Sequence, residues 1–152
     1  LQYRVLASDL ITNVNAMTRV GLLSLRKGVW KDQRVLSEAF VERVQTPLPE
    51  NAGLQLSDPT GFPGALTDYG VLWWTNKSGQ MANVPTDAYW AWGLGEALIV
   101  VIPSLDLVIV RNGGQSPSAS SPGVRAWNDD NWNGDVGVLE PFLDPIVQAT
   151  TP

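Results

Sequence analysis

The 152-residue chain contains no histidine and no cysteine. Without histidine there is no Ser-His-Asp triad, no imidazole acid–base step and no imidazole metal ligand within the sequence. Without cysteine there is no disulfide framework, no thiol nucleophile and no thiolate-bound zinc. Basic charge is also scarce: 10 Lys and Arg stand against 15 Asp and Glu, a net charge of −5, the reverse of the field a nucleic-acid binder carries. No apolar run approaches the roughly 18–20 residues that a membrane-spanning helix needs. What remains has the balance of one globular domain, 44% hydrophobic and 16% charged, with enough length to bury a core.

Charge and aromatic residues are unevenly placed. Residues 1–45 hold seven basic and four acidic side chains, and the remainder holds three basic and eleven acidic. The basic bias reads most simply as a solvated helix face. Seven tryptophans occur, four of them between Trp73 and Trp92. The chain opens on Leu1 with no charged n-region and apolar h-region behind it, which reads as a processed product or a fragment.

The pattern along the chain predicts an α+β arrangement. Ser8 and Asp9 read as a helix start, a cap and an acid at the positive end of the dipole. Leu10, Val14, Met17, Gly21 and Leu25 then recur at helical spacing, and Gly28 after Arg26 and Lys27 marks the end. A second helix is capped by Ser37, stapled by Leu36 and Val41, and ends near Gln45 ahead of Pro47. The segment 1–45 is thus helical and 46–66, rich in Pro, Gly and Asp, a surface loop. Antiparallel strands are expected over 67–112. Tyr69 to Thr75 is aromatic and β-branched, Asn76 to Gly79 supplies a turn, and Ala97–Ile102 and Leu105–Val110 form a hairpin about Pro103-Ser104. Residues 113–137 read as irregular, and Leu139, Phe142, Leu143, Ile146 and Val147 give a terminal helix over 138–150, with Pro141 in its first turn. A sheet this apolar and this small suggests missing neighbours, because an exposed apolar edge invites association.

Ala7-Ser-Asp-Leu10, Gly21 to Trp30, Arg34 to Val41, Tyr69 to Trp74, Gly93-Leu-Gly95 and Val101 to Val110 follow in an order and spacing that resemble the C-terminal half of the serine β-lactamase-related family. That family comprises class C β-lactamases, D-alanyl-D-alanine carboxypeptidases and esterases. The resemblance covers about residues 5–112 and implies part of a β-lactamase/transpeptidase-like fold lacking its N-terminal portion. It implies a serine in S-x-x-K attacking a carbonyl, with that Lys and the Tyr of Y-x-N moving the proton, and no cofactor or metal. Both motifs belong upstream of Ser8, so an N-terminal portion of the same protein is the implied partner. A third motif on a strand edging the site falls on Ala91-Trp92-Gly93 and places an oxyanion N–H on Leu94. Ala stands where the β-lactamase pattern has Lys, which favours a small ester, amide or D-amino-acid peptide over a β-lactam. Trp90, Ala91, Trp92 and Glu96 are the expected substrate neighbours, and Glu96 beside the site would disfavour anions. The resemblance also implies a periplasmic or secreted location in bacteria. The other readings are a non-catalytic module whose clustered Trp stack on sugars or peptides, and an inactive fragment or pseudoenzyme.

Two literal matches compete with this reading. Ser24-Leu-Arg-Lys27 has the form S-x-x-K, yet it sits in a helix's last turn. Lys77-Ser-Gly79 has the form of a third motif, yet it sits in a turn, and no Y-x-N occurs in the chain. Trp73 and Trp74 read as packing, one ring on each face of a strand. Trp90 and Trp92 share one strand face and stand open between packing and a substrate wall. The Asn128–Asp135 run reads as a solvated turn, because it lacks the spacing and closing Glu of an EF-hand.

Overall fold

The computed structural model describes residues 12–56, 64–93, 97–112 and 136–150. In chain order the elements are α1 (Val14–Leu25), β1 (Val29–Trp30), β2 (Gln33–Arg34), α2 (Glu38–Val44), β3 (Trp74–Thr75), β4 (Tyr89–Gly93), β5 (Ala97–Ile102), β6 (Leu107–Arg111) and α3 (Val136–Thr150). The fold is α+β: among the described residues, an antiparallel sheet in the order β3-β4-β5-β6, a two-stranded ribbon β1-β2, and three α-helices.

Both faces of the four-stranded sheet are covered, and the alternation of side chains along the strands says by what. Trp90 pairs with Val100 and Val100 with Ile109; Leu98 and Ile102 share that face. These side chains form one buried cluster with Leu139, Leu143 and Val147 of α3 and with Met81, Val84 and Ala88 of the loop before β4. The opposite face carries Tyr89, Ile99, Val101 and Val108. There α1 packs on β5 and β6, so closely that a Cβ on Gly21 would stand 3.0 Å from Ile99 Cγ2 and 2.5 Å from Val108 Cγ1. Helix, sheet and helix make three layers, which is how strands as apolar as β5 and β6 are satisfied with few neighbours.

The helix ends follow from local chemistry. α1 begins at Val14, with the Asn13 side chain accepting from Ala16 N at 3.0 Å. The cap is therefore Asn13, and Ser8, Asp9 and Leu10 lie outside the described residues. The buried stripe is Met17, Gly21 and Ser24, whereas Val14 is exposed. At the other end Gly28 N donates to Leu23 O (2.8 Å) and Lys27 N to Ser24 O (2.9 Å), the paired bonds of a Schellman motif. Gly28 is required there: its φ is +83°, and a Cβ would collide with the Leu36 carbonyl oxygen. α2 has the expected Ser37 cap and Gln45 end, and Val41 and Val44 are buried.

Four expectations are corrected. The segment 1–45 is not wholly helical, because Val29–Trp30 and Gln33–Arg34 form a ribbon across a two-residue turn, too short for any periodicity to announce. Tyr69 to Thr75 is not one strand: Leu72 takes φ +62°, Gly70 N donates to Trp73 O at 2.7 Å, and only Trp74–Thr75 joins β4. The last strand starts at Leu107, because Pro103–Leu105 forms a 3₁₀ turn and Asp106 adopts the left-handed conformation. Asp87 holds that turn, accepting from Ser104 N at 2.7 Å and Ser104 Oγ at 2.9 Å. The terminal helix starts at Val136, so Pro141 is interior, as is Pro145. Both prolines are exposed, so the helix hydrogen bonds they cannot make are missing on the side open to water.

Candidate functional site

The strand expected to edge a site is β4. It pairs with β5 over its whole length, Tyr89↔Val101 through Gly93↔Ala97, and with β3 only at Tyr89 and Trp90. Its last three residues therefore run on beyond β3, which stops where the chain turns at Leu72. Gly93 is exposed at the end of the strand and Ala91 is half-buried. Leu94 and Glu96 lie outside the described residues.

Trp90 and Trp92 are not an open wall. Trp90 is 2% exposed within the α3-side core, and Trp92 packs against that core from the same strand face. The pattern that placed both on one face was legible, but α3 covers that face, and a sequence gives no direct sign of which helix lands where. The Trp90 indole N–H is buried with no hydrogen-bond partner among the described residues. Trp74 also packs on this core and meets Tyr69 edge-on at 4.7 Å. Trp73 lies outside the strand and stands 5.4 Å from the Tyr89 ring.

Two polar hubs that the sequence reading passed over set the position of β4. Asn76 is fully buried. Its Nδ2 donates to Met81 O at 3.0 Å and Val84 O at 2.8 Å, and its Oδ1 accepts from Met81 N at 2.9 Å. Its own N–H donates to Ala88 O at 2.8 Å, directly ahead of β4. Asp68, also fully buried, accepts from Ser78 N (2.9 Å), Ser78 Oγ (2.8 Å), Gln80 Nε2 (2.6 Å) and Thr67 Oγ1 (2.7 Å). Four donors replace the water that burial removes from the carboxyl group. Asn and Asp inside a turn signal look alike whether exposed or buried, so only the tertiary structure separates these two from solvated turn residues.

The same geometry disposes of the two literal motif matches. Ser78 is committed to Asp68, and Lys77-Ser78-Gly79 is a turn closed by Gly79 N to Asn76 O at 2.9 Å. Ser24 is 6% exposed, and its Oγ shares a hydrogen bond with Tyr89 Oη at 2.9 Å. Gln45 Nε2 donates to the same phenol at 3.2 Å. Burial raises the Tyr89 pKa above the usual phenol value, although both hydrogen bonds pull it down. Lys27, the Lys of the S-x-x-K match, is exposed and pairs with Glu38 at 2.8 Å. The Ser24 hydroxyl and the Lys27 ammonium are therefore turned to different partners, Tyr89 and Glu38, rather than to each other.

Among the described residues no three His, Cys, Asp or Glu side chains gather as metal ligands, and the Asn128–Asp135 run lies outside them. No helix among the described residues is long and apolar enough to cross a membrane. No protein-family model matches the sequence, and no curated protein matches it.

Proposed function

We propose that this chain is the C-terminal part of a serine hydrolase with a β-lactamase/transpeptidase-like fold, which cleaves an ester or amide through an acyl-serine intermediate. The observation that carries the reading is β4, a strand locked on one side to β5 that runs past β3 and ends at an exposed Gly93. A strand so placed suits a substrate-edging role, with Ala91-Trp92-Gly93 as the third motif and the N–H of Leu94 in the oxyanion hole. The nucleophilic Ser, its Lys and the Tyr come from the N-terminal portion of the same protein. The burial of Trp90, with Trp92 packed beside it, weighs against a Trp-walled sugar- or peptide-binding module. The substrate is a small ester, amide or D-amino-acid peptide, and the location periplasmic or secreted.

The test is turnover of a p-nitrophenyl ester by this chain alone and by the protein that includes the sequence encoded ahead of it. The longer protein is expected to hydrolyse the ester and to lose activity with Gly93→Val, by about 100-fold or more if oxyanion geometry is broken. Turnover by residues 1–152 alone, abolished by Ser24→Ala, would overturn the reading.

A further inference from the structure

A groove of about 440 Å³ lies between the C-terminal turn of α1 and the β1-β2 ribbon, lined by Leu22, Arg26, Val29, Trp30, Lys31 and Asp32. It is remote from Gly93. Along α1, Gly21 meets Ile99 and Val108 while Ser24 meets Tyr89, so the helix runs toward the Tyr89–Val101 end of the sheet. Gly93 closes the other end against Ala97. The volume lies in the range of small-ligand sites.

Three independent features mark this groove. First, it carries two exposed cations, Arg26 and Lys31, that have no ion pair among the described residues, as Arg19 and Lys77 have none, whereas Lys27 and Arg34 face Glu38 and Arg43 faces Glu50. Second, Trp30 is half-buried on a ribbon of two-residue strands and stands outside the core built around Trp90. Its ring forms part of the groove's lining and offers an aromatic face there. Third, the two-residue turn has Lys31 at φ +47° and Asp32 at φ +65°. Mirror-image hairpin turns of this kind favour Asn and Gly, and the side chains present store strain at the mouth of the groove.

We infer that the groove binds an amphiphilic carboxylate, an aromatic or short acyl group carrying one negative charge. Its apolar part lies on Leu22, Val29 and Trp30, and its carboxylate faces the Arg26 guanidinium, whose planar fork suits two parallel hydrogen bonds. Lys31 adds a second positive charge, and Asp32 sets a limit by repelling ligands with more than one negative charge. The inference stands apart from the hydrolase reading and requires no turnover.

The experiment titrates the protein with 2-naphthoate and follows the tryptophan indole N–H resonances by NMR, the Trp30 signal being assigned by its loss in Trp30→Phe. Saturable movement of that signal is expected, with a Kd of about 1 mM or tighter for a ligand of this size. Uncharged 2-naphthamide should bind about tenfold more weakly, and Arg26→Gln should remove most of that difference. Lys31→Asn, which suits the turn's positive φ, should weaken naphthoate binding a few-fold without disturbing the fold. Naphthoate and naphthamide binding alike, Arg26→Gln binding naphthoate as the parent does, or no saturation of the Trp30 signal up to about 10 mM would each overturn the inference.

Discussion

The two faces of the sheet solve the same problem differently. On the α3 side the contact is made by volume: Trp90, Leu98, Val100, Ile102 and Ile109 meet Leu139, Leu143 and Val147, with Met81 and Val84 closing the end. On the α1 side it is made by fit. Gly21 lets the helix backbone down onto Ile99 and Val108, and a buried hydroxyl pair, Ser24 and Tyr89, completed by Gln45, stands where more hydrocarbon would otherwise sit. A face held by volume tolerates reshaping but loses much when atoms are removed. A face held by close approach and hydrogen bonds loses when atoms are added or when one polar partner is deleted.

The largest effect should therefore come from truncation on the α3 side. Leu143→Ala, at a side chain that is 0% exposed, is expected to cost about 3–4 kcal/mol in urea unfolding. A loss no larger than that of an exposed leucine would erase the contrast between the faces. On the α1 side the damaging change is enlargement. Gly21→Ala should destabilise by about 1–3 kcal/mol despite alanine's better helix propensity. Combining it with Val108→Ala should recover part of that loss in a double-mutant cycle, because the two substitutions meet in one contact.

Next in size is the buried phenol. Tyr89→Phe leaves Ser24 Oγ and Gln45 Nε2 short of a partner and should cost about 1–2 kcal/mol at neutral pH. The same group gives a pH signature. Its folded pKa is raised, chiefly by burial, so its contribution is whole below the unfolded phenol value of about 10 and is lost as pH rises through the higher folded value. Alkaline unfolding should consequently be shallower in Tyr89→Phe than in the parent. The smallest gain expected is at the ribbon, where Lys31→Gly relieves a positive φ and should stabilise by up to about 1 kcal/mol.

The contrast also explains what the sequence disclosed. The α3-side core was legible because its apolar residues recur at helix and strand spacings: Leu139, Leu143 and Val147 four apart, Leu98, Val100 and Ile102 two apart. The hairpin β5-β6 and the Ser37 cap were legible because each rests on neighbours in the chain. The face of Trp90 and Trp92 was readable, but not the helix that covers it. Asn76 and Asp68 were hidden because polar residues in a sequence carry no sign of burial, even though their partners lie within twelve residues, and the Ser24–Tyr89–Gln45 cluster was hidden because its members lie up to 65 residues apart. The break at Leu72 was hidden as well, since a leucine at positive φ runs against local preference and is imposed from outside the segment.

The central functional claim is that Ser24 belongs to the structure and that the nucleophile lies outside this chain. Intact-mass spectrometry after treatment with a fluorophosphonate tests it most directly. The account predicts that the 16.5 kDa chain remains unlabelled while the longer protein gains one adduct on a serine ahead of Ser8. An adduct on the 16.5 kDa chain itself, lost in Ser24→Ala, would contradict it.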